Sequence, residues 1–142
     1  MFEQFYGNAH VVEALEQMLA QDRLAQTLLF SGPEGVGKAT LARRLAQRFL
    51  PRPELVEKDD LSLLDNLELI AARDKLPADK RNEDPLQFAT HPDFVTFAPD
   101  GPLRQISIPQ TRLLKELAQF LPHKGPRRVF LIDHVDRAPV VV

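Results

Sequence analysis

The chain contains no cysteine. Disulfides and thiolate zinc sites are thereby excluded. No apolar run approaches the roughly 20 residues that a membrane-spanning helix needs. The opening residues, MFEQFYGNAH, lack the basic stretch followed by an apolar core that marks a secretory signal. There is no internal repeat. Net charge is only −2, so nothing drives the whole molecule toward nucleic acid or an anionic surface, and a nucleic-acid contact needs a local basic patch. These absences predict a soluble, cytoplasmic protein. The 142 residues, 44% hydrophobic and 27% charged, suit one globular domain with a real core.

Hydrophobic spacing predicts the elements. Val11, Val12, Leu15, Met18 and Leu19 recur at helical intervals over residues 8–24, with Asn8 as the cap. The run TLLFS at 27–31 reads as a buried parallel strand. A helix follows from about residue 37 to 49, with Leu41, Leu45, Ala46 and Phe49 on one face, and Pro51 and Pro53 stop it. Acids and prolines crowd residues 51–90. That segment reads as an acidic insertion, about 51–88, with solvated, mobile flanks and one short helix whose apolar face is Leu61, Leu64, Leu67 and Leu69. Phe94–Phe97 is expected to be a strand. QISI is a short strand or an extended lead-in, and Pro109 suits the first turn of a helix running to about Leu121. RRVFLID is a further strand, ending in Asp133. Strands alternating with helices predict an α/β fold, a parallel sheet with helices on both faces and ligands beyond the strands' carboxyl ends.

The chemistry concentrates in SGPEGVGKAT, residues 31–40. Gly32, four residues, then Gly37 and Lys38 form the pattern of a phosphate-binding loop. Glycines let successive backbone N–H groups turn inward, the helix start adds partial positive charge, and the lysine reaches the outer phosphates. The expected cradle is Gly32, Pro33, Glu34, Gly35, Val36, Gly37, Lys38, Ala39 and Thr40. The pattern's magnesium ligand is a Ser or Thr directly after the lysine, and here that residue is Ala39, without an oxygen. Thr40 stands one residue late, turned by about 100° on a helix. Asp133 is placed to support Mg²⁺ from a neighbouring strand. His134 stands where many ATPases carry a glutamate that orients water, and it reads more readily as a polar edge residue than as a base. Lys124, Arg127 and Arg128 form a small basic cluster without interleaved aromatics, which reads as a solvated loop rather than a nucleic-acid contact.

GNAHVVEALEQMLAQDRLAQTLLFSGPEGVGKATLARRLAQ and HPDFVTFAPDG…ISIPQTRLLKELAQFLPHKGPRRVFLIDHVDRA resemble the clamp-loader subunits of bacterial DNA polymerase III, AAA+ P-loop proteins. The delta prime type is the most similar. The resemblance implies a partial AAA+ nucleotide-binding domain over residues 1–142, truncated before the sensor strand, lid and C-terminal collar domain. It also implies ATP with Mg as ligand, partners in a hetero-oligomeric ring (gamma/tau and delta subunits), and sliding clamp and primed DNA reached through that ring. In related ATPases the segment before the first helix lines the adenine pocket, which points to Phe5 and Tyr6. The cysteine-ligated zinc module common in such subunits has no counterpart here. Ala39 and His134 argue against hydrolysis by this chain. An active ATPase of the gamma/tau type and another P-loop nucleotide-binding enzyme are the alternatives. In the AAA+ sheet a later strand lies between the Phe30 and Asp133 strands, so those two are expected to stand apart unless something fills the gap.

Overall fold

The computed structural model describes residues 9–24, 26–33, 35–122 and 127–134. Five α-helices are present among them: α1 (Ala9–Ala20), α2 (Lys38–Gln47), α3 (Leu64–Arg73), α4 (Ala78–Glu83) and α5 (Ile108–Leu117). A 3-10 helix spans Pro53–Asp59. Three strands, β1 (Phe88–His91), β2 (Phe94–Phe97) and β3 (Val129–Ile132), form a sheet of order β1-β2-β3. The expectation Asn8 as a cap falls outside the described residues.

The architecture is mixed α/β, with a smaller sheet than expected. β2 and β3 pair in parallel, from Phe94 opposite Val129 to Phe97 opposite Ile132. β1 runs antiparallel to β2, so the wholly parallel sheet expected from strand–helix alternation is corrected. His91 and Phe94 pair across a two-residue connection, Pro92-Asp93, and that short link permits only an antiparallel return. Residues 28–31 carry no strand. An apolar run becomes a strand only when a neighbour supplies a hydrogen-bond ladder, and none lies along this segment among the described residues. QISI proves to be the extended lead-in: Gln105 makes one isolated bridge to Asp100, and α5 starts at Ile108.

β2 is buried at all four positions. Phe94 packs with Ala46, Leu50 and Val56, joined by Val129 and Leu131 of β3. Val56 belongs to the stretch expected to be solvated, and it is fully buried, as is Asp59 nearly so. The difference is electrostatic as well as apolar. Glu57 accepts from Arg43, Arg44 and Gln47 of α2, and Asp60 pairs with Arg43 at 3.3 Å. The acids of residues 51–60 thus meet the bases of α2 and fold back on it.

A second cluster, Ile70, Leu86, Phe88 and Ala98 with Leu61, seats α3. The inward residues of α3 are Ile70 and Arg73, whereas Leu64, Leu67 and Leu69 face solvent. Arg73 decides this orientation. Its guanidinium makes two 2.9 Å bonds to the Asp100 carboxylate and donates to the carbonyls of Arg81 and Asp84. One side chain thereby ties α3, α4 and the 100–105 turn together. Gln110 plays the same part for α5. Its amide donates to Leu86 O (3.0 Å) and Ala98 O (2.7 Å), and its Oε1 accepts from Ser107 N within a reciprocal cap.

Candidate functional site: a phosphate-type loop beneath the first helix

Leu15, Leu41 and Leu45 form a buried cluster joined by Val11, Val12, Leu19, Leu24, Phe30 and Phe49. This packing lays α1 against α2 and brings residues 29–33 alongside. The loop between Phe30 and α2 is tightly curled. Gly32, Gly35 and Gly37 have φ of 148°, 85° and 91°. At Gly35 a Cβ meets nothing within 4 Å, so the backbone conformation rather than space demands glycine there. Gly37 caps α2 from the left-handed region without a side-chain bond. Leu41 N donates to Gly37 O at 2.9 Å, closing the first turn. That leaves earlier first-turn amides without an intrahelical acceptor, the arrangement that favours anions at a helix start.

Lys38 Nζ bonds back to Gly32 O at 2.5 Å. The ammonium therefore spans the loop it follows, and this bond uses one of its three donors. An open cavity of about 370 Å³ lies here, walled by His10 and Val11 of α1, by Leu29–Pro33, and by Val36, Gly37, Lys38 and Leu41. Sequence reasoning assigned nothing to His10 and placed Val11 only on a helix face. No local signal carries their position, because it arises from α1 packing over the loop. Glu34, Phe5 and Tyr6 lie outside the described residues.

Ala39 offers no oxygen. Thr40 Oγ1 accepts from Arg43 Nη2 at 3.3 Å, on the side of α2 that meets Glu57 and Asp60. Asp133 follows β3, with its N–H bonded to Phe97 O, and it does not contribute to the cavity wall. His134 Nδ1 lies 3.1 Å from Asp133 Oδ1. Among the described residues no group of three or more His, Asp or Glu side chains could hold a metal ion. Among the described residues, the cavity wall contains no Asp or Glu side chain. Of the basic cluster, Arg127 stacks over the Phe49 ring at 4.5 Å and Arg128 over Phe130 at 5.6 Å. Arg128 also donates to Leu117 O. Lys124 is outside the described residues.

One buried acid is electrostatically unsettled. Burial pushes the Asp59 carboxyl above the usual range, against hydrogen bonds from Thr90 and the charge of Arg43. Its Oδ2 is buried without a hydrogen-bond partner. For Asp60, burial also raises the carboxyl, but bonds from Ser62 and the charges of Arg43 and Arg44 outweigh it and leave a net lowering.

Residues 7–62 match the family model described as DNA polymerase III, delta subunit. The matched stretch contains α1, the glycine loop, α2 and the 3-10 helix, so it coincides with the cavity and its supports. The match is a likeness of that stretch, less than half of the chain, to a DNA polymerase III subunit family. No curated protein and no solved structure matches the chain. Among the described residues no helix is long and apolar enough to cross a membrane.

Proposed function

We propose that this chain serves as a clamp-loader subunit of the delta prime type, with an AAA+ domain whose nucleotide site has lost its hydrolytic parts. The observation that carries the reading is the curled loop at residues 32–38 inside the family match, with Lys38 folded over its mouth and no hydroxyl at position 39. Backbone amides and one ammonium are enough to hold phosphate oxygens. Splitting a phosphoanhydride also requires a bound divalent ion and an oriented water, and Ala39 and the Asp133–His134 pair supply neither at this cavity. The subunit then acts as a rigid member of a ring with gamma/tau and delta partners in the cytoplasm, and meets the sliding clamp and primed DNA through the assembled complex.

Titration calorimetry with ATP, with and without Mg²⁺, tests this reading. The expected result is binding indifferent to Mg²⁺, without turnover. Tight Mg²⁺-dependent binding with phosphate release overturns it in favour of an active ATPase of the gamma/tau type. The double variant Ala39→Thr/His134→Glu sharpens the test. Hydrolysis that appears only in this variant assigns the loss to those two side chains; hydrolysis absent from both proteins shows that they were not the cause.

A further inference from the structure

Residues 51–60 lie as a strap across α2 and β1. At its start, His91 Nε2 donates to the carbonyl of Pro51. Val56 is fully buried against Ala46, Leu50 and Phe94. Glu57 accepts from Arg43, Arg44 and Gln47 of α2, and Asp60 pairs with Arg43. Asn66 Nδ2 holds the far end, donating to the carbonyls of Lys58 (2.9 Å) and Asp60 (2.8 Å). Within the strap, Leu55 N bonds to Arg52 O at 3.1 Å and Asp60 N to Glu57 O at 3.2 Å. Segments held by a handful of contacts over one short turn open locally, without the rest of the fold.

One member of this contact is poorly satisfied. Asp59 is 1% exposed. Among the described residues its hydrogen bonds come from Thr90, whose N–H reaches Oδ1 at 3.3 Å, and Oδ2 is buried with no partner. A carboxylate held that way costs far more than a neutral carboxyl, because charge is the most expensive thing to take out of water unpaired. The charged and titratable groups that face it from neighbouring elements are Arg43 of α2 and His91 of β1. Both favour the ionised form, but burial outweighs them and raises the carboxyl. On the strap itself Glu57 and Asp60 are engaged by Arg43 and Arg44, and Lys58 is exposed. We propose that residues 51–60 form a pH-gated strap, seated on α2 and β1 while Asp59 is protonated and lifted into solvent more often once Asp59 ionises. Lifting rehydrates Asp59, uncovers Val56 and frees Arg43 and Arg44. The seated strap binds the proton more tightly than the lifted one. Opening therefore becomes easier as pH rises from the ordinary carboxyl value of 3.8 through the raised one. The Asp60 carboxyl is lowered, so its loss of charge falls below that window. This inference is independent of the nucleotide reading.

The test is amide hydrogen exchange followed by NMR on the full chain, from acid to neutral pH, with rates corrected for the intrinsic effect of pH. The reporters are the amides of Leu55 and Asp60 on the strap. The references are those of Val129 and Asp133, which bond β3 to Asp93 O and Phe97 O. The opening constant of the strap amides should rise by up to about tenfold per pH unit between 3.8 and the raised Asp59 value, and level off above it. Above that window the strap should open at least tenfold more often than the references. Asp59→Asn, which carries no charge at any pH, should remove the rise. Asp59→Ser is the second variant should the asparagine form fail to fold, and far-UV circular dichroism reports folding of both. A flat wild-type profile overturns the proposal, as does the same rise in the uncharged variants. Equal opening constants for strap and reference amides also overturn it, because the segment then opens only with the whole fold.

Discussion

Replacing Asp100 by alanine should destabilise the protein far more than replacing any exposed acid. Asp100 and Arg73 have side chains 5% and 9% exposed, joined through Oδ2 and Nη2 at 2.9 Å and again through Oδ1 and Nε at 2.9 Å. Removing the carboxylate strands a guanidinium in a water-poor site. Truncating one partner of such a pair typically costs about 3–5 kcal/mol. Arg73 keeps two carbonyl acceptors, Arg81 O at 3.3 Å and Asp84 O at 2.7 Å, so the lower end, about 3 kcal/mol, is expected. That is a large share of a typical total of about 5–15 kcal/mol. The internal comparison is Asp74→Ala. Asp74 also forms a two-bond pair, with Arg104, but those side chains are 31% and 37% exposed, and loss of such a pair costs about 1 kcal/mol or less. Urea denaturation followed by circular dichroism reads both variants; at a slope of about 1–3 kcal/mol per molar, the Asp100 variant should shift its midpoint by about 1–3 M. The double variant Arg73→Met/Asp100→Leu, which removes both charges, should recover part of the loss. Equal costs for Asp74→Ala and Asp100→Ala would refute the claim that burial sets the worth of the pair and orients α3.

Other outcomes follow from the same contacts. Lys38→Ala should weaken ATP binding by roughly 10–100-fold in calorimetry, the worth of one charge-assisted hydrogen bond; unchanged affinity places the phosphates elsewhere. Gln110→Leu strands the carbonyls of Leu86 and Ala98 and the Ser107 N–H, at about 1–3 kcal/mol for each buried group left unpaired, and a loss below 1 kcal/mol in urea melts contradicts the accounting. The Asp59 carboxyl, raised by burial, binds its proton more tightly in the folded chain. Its contribution to stability is therefore full below the unfolded value near 3.8 and is lost as pH rises through the higher folded value. Wild type should gain stability relative to Asp59→Asn as pH falls through that window, and a difference that is flat with pH refutes the assignment.

Much of the framework is legible in short stretches of sequence. The periodic leucines of α1, α2 and α5, the apolar runs of β2 and β3, and the glycine spacing of the loop all report local physics. Ser107 and Gln110 form a capping box that a reader can find three residues apart. Other features were legible in composition but not in consequence. TLLFS has the make-up of a strand, yet strand formation depends on a neighbour's backbone, which no property of those five residues can provide. The acids of residues 51–60 look like a solvated linker until Arg43 and Arg44 are placed opposite them.

The order of residues by itself located α1, α2 and α5, excluded cysteine-ligated zinc and left position 39 with no oxygen to offer a metal, but it did not reveal the 3-10 helix at Pro53–Asp59 or α4 at Ala78–Glu83, in the stretches that read as mobile flanks. What it located depends on single residues and their immediate neighbours. The tertiary structure alone decided that α3 faces inward through Arg73 rather than its leucines, that His10 joins the cavity wall, and that Glu57 meets the bases of α2. Each of these depends on which distant segment a side chain meets, and periodicity locates a stripe on a helix without saying which side the rest of the chain will cover.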